Sequence, residues 1–288
     1  MDEFKKNLMA STGMRVFIFL MAFFVCTLIG AVIAALSVGN NIMMLKIGQG
    51  ISSTLMFIAP PIILYTITRT QPMRRLGFRR PTKGWMLLIG VALMFISLPL
   101  TNLLTTWNES MNLGRISDTL ETWLKYLEDT AANLTQRMME VDTIWGLLGN
   151  LFILALIPAV GEELTFRGVL QQALTKGCKN VHVAVFLGAF IFSFIHFQFY
   201  GFFPRLFLGL LLGYLYHYSG SIWTSILMHF VNNGTAVVVG YLEYKGLVNV
   251  DWEHFGSTSN VFLLIASLVL TVGLMIIVAK NQYKYGRK

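Results

Sequence analysis

Long apolar runs separated by short polar segments dominate the pattern of this chain. Runs close to the length that crosses a bilayer, about 17 to 25 residues, lie near 14–37, 46–67, 85–106, 144–166, 181–199, 203–218, 221–240 and 260–279. Helices are the open-ended structure that satisfies every backbone hydrogen bond inside a bilayer. The pattern therefore predicts an all-α, polytopic transmembrane helical bundle of about eight spans, forming a single integral membrane domain over residues 1–288.

Charges in the connecting segments predict the orientation of these spans. The segment from Arg69 to Lys83 contains six basic residues and no acid, and such an excess marks cytoplasmic loops. An even number of spans then places both termini in the cytoplasm, in agreement with their basic residues Lys5, Lys6, Arg15, Lys280, Lys284, Arg287 and Lys288. Residues 107–143 contain seven acids against three bases, and we expect them to form an extracytoplasmic loop.

Within this loop, apolar residues recur at roughly helical spacing, namely Leu120, Trp123, Leu124, Leu127, Leu134 and Met138. This spacing predicts an amphipathic helix at the membrane interface. We favour a helix packed on the spans over one that guides lipid or substrate.

The composition agrees with a multi-pass protein of the cell membrane. Of the 288 residues, 55% are hydrophobic and 12% are charged, and the mean hydropathy is +0.64. The net charge of +8 does not indicate nucleic acid, because the basic residues cluster in short segments between apolar runs, where topology and anionic lipid account for them. A compact chain of this kind is typical of the bacterial inner membrane.

Six polar residues lie in or beside the apolar runs, where an ionisable group costs about 2.5 to 3.5 kcal/mol by insertion scales. They are Glu162, Glu163, Arg167, His196, His229 and Asn233. Glu163 and Arg167 are four residues apart with the acid first, the spacing of a helical ion pair, whereas Glu162 points roughly 100° away. A solvated helix end for the two acids, and interhelical hydrogen bonds for the histidines, are the structural alternatives.

Two chemistries fit this set of side chains. In the first, Glu162 and His196 position and deprotonate a water molecule, while His229 and Asn233 donate hydrogen bonds to the oxyanion of a peptide carbonyl under attack. In the second, Glu162, His196 and His229 ligate zinc, which polarises the water. We favour the metal-free chemistry, because the His-Glu-x-x-His spacing of typical zinc peptidases is absent.

The motifs Glu162-Glu163-x-x-x-Arg167, Phe192-x-x-x-His196 and His229-x-x-x-Asn233 resemble those of the CAAX-protease and bacteriocin-processing (Abi) family of intramembrane endopeptidases. The resemblance covers about residues 144–240. It implies an α-helical membrane protease with Glu162 as the catalytic carboxylate, His196 as its partner, and His229 with Asn233 at an oxyanion site or a metal. It also implies that Glu163 and Arg167 support the site, and that a membrane-associated protein or peptide is the substrate.

Two other functions compete with this one. The chain could be a non-catalytic membrane protein of the bacteriocin-immunity type, in which the polar cluster only holds helices together. It could also be a proton-coupled transporter that uses Glu162 and His196 as a relay.

The protease hypothesis sets a geometric condition on the fourth apolar run. His196 lies about 22 Å along its helix, so it can meet Glu162 only if the fourth helix continues past Arg167. We therefore predict one long helix from about Ile144 to about Lys176.

Overall fold

The computed structural model describes residues 11–39, 41–68, 76–78 and 82–282. Within these residues the regular structure is helical, without strands. In chain order the helices are α1 (Thr12–Ser37), α2 (Ile42–Ile67), α3 (Gly84–Glu109), α4 (Asp118–Met139), α5 (Ile144–Cys178), α6 (Val181–Phe194), α7 (Phe202–Ser219), α8 (Ile222–Tyr244) and α9 (Val261–Lys280).

The prediction of an all-α membrane bundle is confirmed. Within the described residues, seven helices are long and apolar enough to span a bilayer; α7 reaches that length together with the 3₁₀ turn Phe199–Gly201 that precedes it. Helix α6 is a further apolar helix that is shorter than these. The orientation stays a prediction, because Arg69, Arg74, Arg75, Arg79 and Arg80, like Lys5, Lys6, Lys284, Arg287 and Lys288, lie outside the described residues.

Helix α6 ends at Phe194, although its apolar run continues to about residue 199. Two features end the helix. Phe197 adopts a left-handed backbone with φ 53°, which an α-helix cannot accommodate, and the side chain of His196 binds the carbonyl of Phe192. The chain then turns through Phe199–Gly201 into α7.

The long fourth helix predicted from the sequence is present as α5, which runs without interruption from Ile144 to Cys178. A tight turn follows, with Lys179 in the left-handed region and Asn180 capping the first amides of α6. From Glu162 to the end of α5 is about 24 Å of helix, and from the start of α6 to His196 is about 22 Å. The two residues therefore lie at similar depth on antiparallel neighbours.

Helix α5 is not a regular α-helix throughout. It contains two π-helical stretches, Leu151–Leu156 and Leu164–Gln171, and α2 contains a third at Thr54–Ile58. Such widened turns are rare and occur frequently at functional sites. The second stretch includes Arg167 and directly follows Glu163, so the wider turn lies at the centre of the polar cluster.

Helices α6 and α7 approach each other closely at Gly209. A Cβ atom at this position would lie 3.0 Å from Ala189 Cβ and 3.1 Å from Ala189 Cα. Small residues allow this kind of helix contact in membranes, where packing rather than water drives association. The contact brings the backbone of α7 within reach of the polar side chains on α5.

We expect Gly209→Ala to destabilise the protein by about 1 to 3 kcal/mol, because the added methyl overpacks a contact that involves backbone atoms. Gly273→Ala in α9 is the matched control, since nothing lies within 4 Å of the added atom; it should be neutral or stabilising by about 0.5 to 1 kcal/mol. Thermal unfolding of both variants in the same detergent checks this. Equal melting temperatures would show that the α6–α7 contact is not tight.

Candidate active site

The predicted ion pair between Glu163 and Arg167 is present and fully enclosed. Arg167 Nη1 donates to Glu163 Oε1 at 2.8 Å, and the exposed fractions of the two residues are 2% and 0%. Arg167 Nη2 donates to the carbonyl oxygen of Gly209 at 3.0 Å, and the guanidinium carbon lies 5.0 Å from the ring centre of Phe192. Arg167 therefore joins α5 to both α6 and α7.

His229 of α8 lies between the two glutamates. Its Nδ1 is 3.0 Å from Glu163 Oε1, and its Nε2 is 3.7 Å from Glu162 Oε2. A carboxylate only accepts hydrogen bonds, so Nδ1 carries the proton and donates a hydrogen bond to Glu163. The oxygen that Arg167 holds thus also fixes the ring of His229, a contact between helices that residue spacing did not reveal.

Glu162 is buried, with 7% of its surface exposed, and it faces Nε2 of the same imidazole whose Nδ1 contacts Glu163. Its distance of 3.7 Å from His229 Nε2 exceeds a direct hydrogen bond. The cluster contains two carboxyl groups, one guanidinium and one imidazole.

His196 follows the end of α6 and is half-buried. Its Nδ1 lies 2.7 Å from the carbonyl oxygen of Phe192. A carbonyl only accepts, so Nδ1 carries the proton and the neutral ring keeps its lone pair on Nε2. The Phe192 ring lies against both imidazoles, with centroid distances of 5.2 Å to His196 and 6.0 Å to His229.

Asn233 lies one turn beyond His229 on α8 and is half-buried. Its Oδ1 accepts a hydrogen bond from Asn232 Nδ2 at 3.0 Å. Among the described residues, neither Asn233 nor His196 hydrogen-bonds to Glu162. The structure thus joins Glu163, Arg167 and His229 by direct hydrogen bonds, places Glu162 3.7 Å from His229, and places the Phe192 ring against both His229 and His196.

The zinc alternative requires Glu162, His196 and His229 to converge on one point. Throughout the described ranges, no group of three or more His, Cys, Asp or Glu residues is arranged to hold a metal ion. Glu162 and His229 approach each other, but His196 does not complete a ligand set with them.

Sequence reasoning missed Arg205, which lies near the start of α7. Arg205 Nη1 and Nη2 donate to the carbonyl oxygen and Oε1 of Gln198 at 3.0 Å and 2.8 Å, and Nη2 lies 3.9 Å from Glu128 Oε1. Its charge acts on both Glu162 and His196. The signal that identified the other six residues, a charge within an apolar run, also marks this one.

Comparison with known families supports the selection of the six residues made from the sequence. Residues 144–235 match the family described as Type II CAAX prenyl endopeptidase Rce1-like. These residues form an Rce1-like domain. All six residues singled out from the sequence lie within it, on α5, after α6 and on α8, and the match confirms the resemblance to the CAAX-protease and bacteriocin-processing family.

The family match and the apolar helices together show that this is a multi-pass membrane protein. The match also supports, in general terms, an intramembrane endopeptidase of the CAAX type. No curated protein and no solved structure matches the chain.

A second ion pair of identical spacing lies outside the Rce1-like domain. It allows a direct test of how much burial makes stability depend on the pair between Glu163 and Arg167. We expect Arg167→Gln to cost about 3 to 5 kcal/mol, because Glu163 would keep a buried charge without its cationic partner. Lys125→Gln removes the 57% exposed base of a pair at the protein surface, Lys125 with Glu121 at 2.6 Å, and should leave the melting temperature nearly unchanged. Thermal unfolding compares the two, and an unchanged melting temperature for Arg167→Gln would contradict the buried pair. The double variant Glu163→Gln/Arg167→Gln should recover part of the loss.

Proposed function

We propose that this chain is an intramembrane endopeptidase that hydrolyses peptide bonds of membrane-associated proteins or peptides, in the bacterial inner membrane. The observation that carries the proposal is the buried polar cluster of Glu162, Glu163, Arg167 and His229 inside the Rce1-like domain. A cluster this costly to bury is expected to serve chemistry as well as packing.

In the proposed reaction, Glu162 and His196 activate water. Each offers a lone pair, Glu162 on its carboxylate and His196 on Nε2, since Nδ1 of His196 is held by the Phe192 carbonyl. As the water oxygen bonds to the carbonyl carbon of the scissile peptide, Glu162 takes the proton that the water loses. The C–N bond then breaks, and the same proton passes to the leaving nitrogen.

His229 and Asn233 are proposed to hold the oxyanion that forms in this step. Because Nδ1 of His229 is committed to Glu163, only Nε2 can donate to the substrate, which requires the protonated imidazole. That form also leaves the cluster neutral when Glu162 is ionised. Asn233 Nδ2 has no acceptor in the described part of the chain and can supply the second hydrogen bond. One such donor is worth about 10² to 10³ in rate.

Glu163 and Arg167 are proposed to act as positioning residues. Arg167 keeps Glu163 ionised, and Glu163 then fixes the ring orientation of His229, in the way that a carboxylate commonly orients a catalytic imidazole. The carbonyl of Gly209 anchors Arg167 from the opposite side.

We expect Glu162→Gln to reduce cleavage by about 10² to 10⁴ with unchanged thermal stability, because amide and carboxylate are nearly isosteric but only the carboxylate accepts the proton. Glu140→Gln is the control, since Glu140 is exposed after α4. The assay incubates protein in nanodiscs with membrane-anchored test peptides and identifies new peptide termini by mass spectrometry.

The same assay separates the competing functions. A non-catalytic immunity-type protein would keep its function in Glu162→Gln, and a transporter would show flux that depends on a pH gradient without new termini. Either result would overturn the protease proposal.

For the metal, we expect purified active protein to contain less than one zinc per chain and to keep its activity after chelation, because the three candidate ligands do not converge. Elemental analysis by mass spectrometry, before and after treatment with a chelator, measures both quantities. Stoichiometric zinc that is lost together with activity would replace the metal-free reaction with the zinc alternative.

A further inference from the structure

A cavity of about 590 Å³ lies at the end of the bundle where α3 ends and α5 begins. Its walls come from the end of α3, from α4, from the segment after His196 and from the connection between α8 and α9. The charge pattern predicts that this end is extracytoplasmic. The volume is in the range of sites that enclose small ligands or side chains.

The cavity wall carries an excess of negative charge. Four acidic side chains line it, namely Glu109, Glu128, Asp129 and Glu253, against the two bases Lys125 and Arg205. Both bases are already engaged, because Lys125 pairs with Glu121 at 2.6 Å and Arg205 donates to Gln198 through both terminal nitrogens. Two of the four acids also have cationic neighbours, since Arg205 Nη2 lies 3.9 Å from Glu128 Oε1 and His254 Nε2 lies 3.4 Å from Glu109 Oε2. The wall therefore offers Asp129 and Glu253 above all to a ligand that brings its own positive charge.

The titration of these acids agrees with a negative wall that its cationic neighbours compensate only in part. Burial raises the pKa of Glu128, and the neighbouring Glu109 and Asp129 raise it further, against the Tyr200 amide and Arg205, which lower it. Burial also raises the pKa of Glu253, as do Asp251, Glu109 and Glu128, while His254 opposes the shift. A bound cation would reduce this repulsion between the carboxylates.

Two aromatic residues complete the chemistry of a cation site. Trp252 and Tyr200 both line the cavity, and the faces of such rings attract ammonium and guanidinium groups. Tyr200 is 9% exposed, and its buried hydroxyl has no hydrogen-bond partner among the described residues. An unpaired buried hydroxyl is costly, and this one belongs to a residue of the cavity wall.

The cavity adjoins the proposed reaction site through the segment that follows His196. Gln198, Tyr200 and Arg205 line the cavity, and the Tyr200 amide donates to Glu128 Oε2 at 3.1 Å. The charge of Arg205 acts on Glu162 and His196. A ligand in the cavity would thus contact the segment that directly follows His196.

We propose that this cavity binds a lysine or arginine side chain of a peptide segment adjacent to the scissile bond. The cavity thereby selects substrates that carry a basic residue on the polar side of the cleavage site. The selection of substrates rests on the proposed protease function, whereas the binding of a cationic peptide does not.

The first test measures binding alone, with full-length protein in phosphatidylcholine nanodiscs and a fluorescent trilysine amide as the probe. The cavity variant Glu109→Gln/Asp129→Asn/Glu253→Gln removes three wall charges and keeps Glu128, which holds the Tyr200 amide. The control Asp118→Asn/Glu140→Gln/Asp142→Asn removes the same charge outside the cavity. Fluorescence anisotropy gives the dissociation constants, and thermal unfolding verifies that both variants fold.

We expect the cavity variant to bind trilysine about tenfold more weakly, the control to bind like the wild type, and triglutamate not to bind. Equal binding by the two variants, or no binding by the wild type, would overturn the proposal. If the triple variant does not fold, Asp129→Asn against Asp142→Asn makes the same comparison with one charge each.

The second test separates this inference from the protease function. Glu162→Gln should bind trilysine like the wild type, because Glu162 does not line the cavity. For peptides with lysine beside the cleaved bond, the cavity variant should raise KM and leave kcat unchanged. Binding without any cleavage would refute the protease function and keep the cation site; cleavage with equal trilysine binding in both variants would refute the cation site alone.

Discussion

The burial of Glu163 among apolar helices is the constraint on which the rest of the site depends. A carboxylate that is 0% exposed must be matched by positive or donor groups, and two different helices supply them to one oxygen. Arg167 approaches from the same helix and His229 from α8. Because Arg167 also binds the Gly209 carbonyl of α7 and lies over Phe192 of α6, neutralising one charge joins four helices.

Each of the two histidines donates through Nδ1 to a different acceptor, and this difference supports the different roles that we propose for them. Nδ1 of His229 donates to a carboxylate, whereas Nδ1 of His196 donates to a neutral backbone carbonyl. The first arrangement suits a donor to a developing negative charge, and the second leaves a lone pair on Nε2 for water. The backbone turn that ends α6 early therefore also determines the proposed role of His196.

Relations within one helix were predictable from residue order. The spacing of Glu163 and Arg167 predicted their ion pair, and the condition that Glu162 meet His196 predicted that α5 continues to about Lys176. Apolar runs likewise predicted the all-helical bundle. In contrast, the end of α6 at Phe194 was not predictable, because the run of apolar residues continues through the turn and only the left-handed Phe197 and the His196 cap reveal the break. Arg205 carried the same signal as the other buried charges and was identified only in the structure.

The sequence by itself determined which helices form and which side chains share a face of one helix, because helical geometry relates residues three or four apart regardless of their surroundings. The tertiary structure alone decided which faces meet. The contact of His229 with Glu163, the anchoring of Arg167 by Gly209 and the cavity beside Arg205 join residues distant in the chain. Such contacts depend on how closely helices approach, and here that distance is set by small residues such as Gly209 and by the requirement that buried charges find partners.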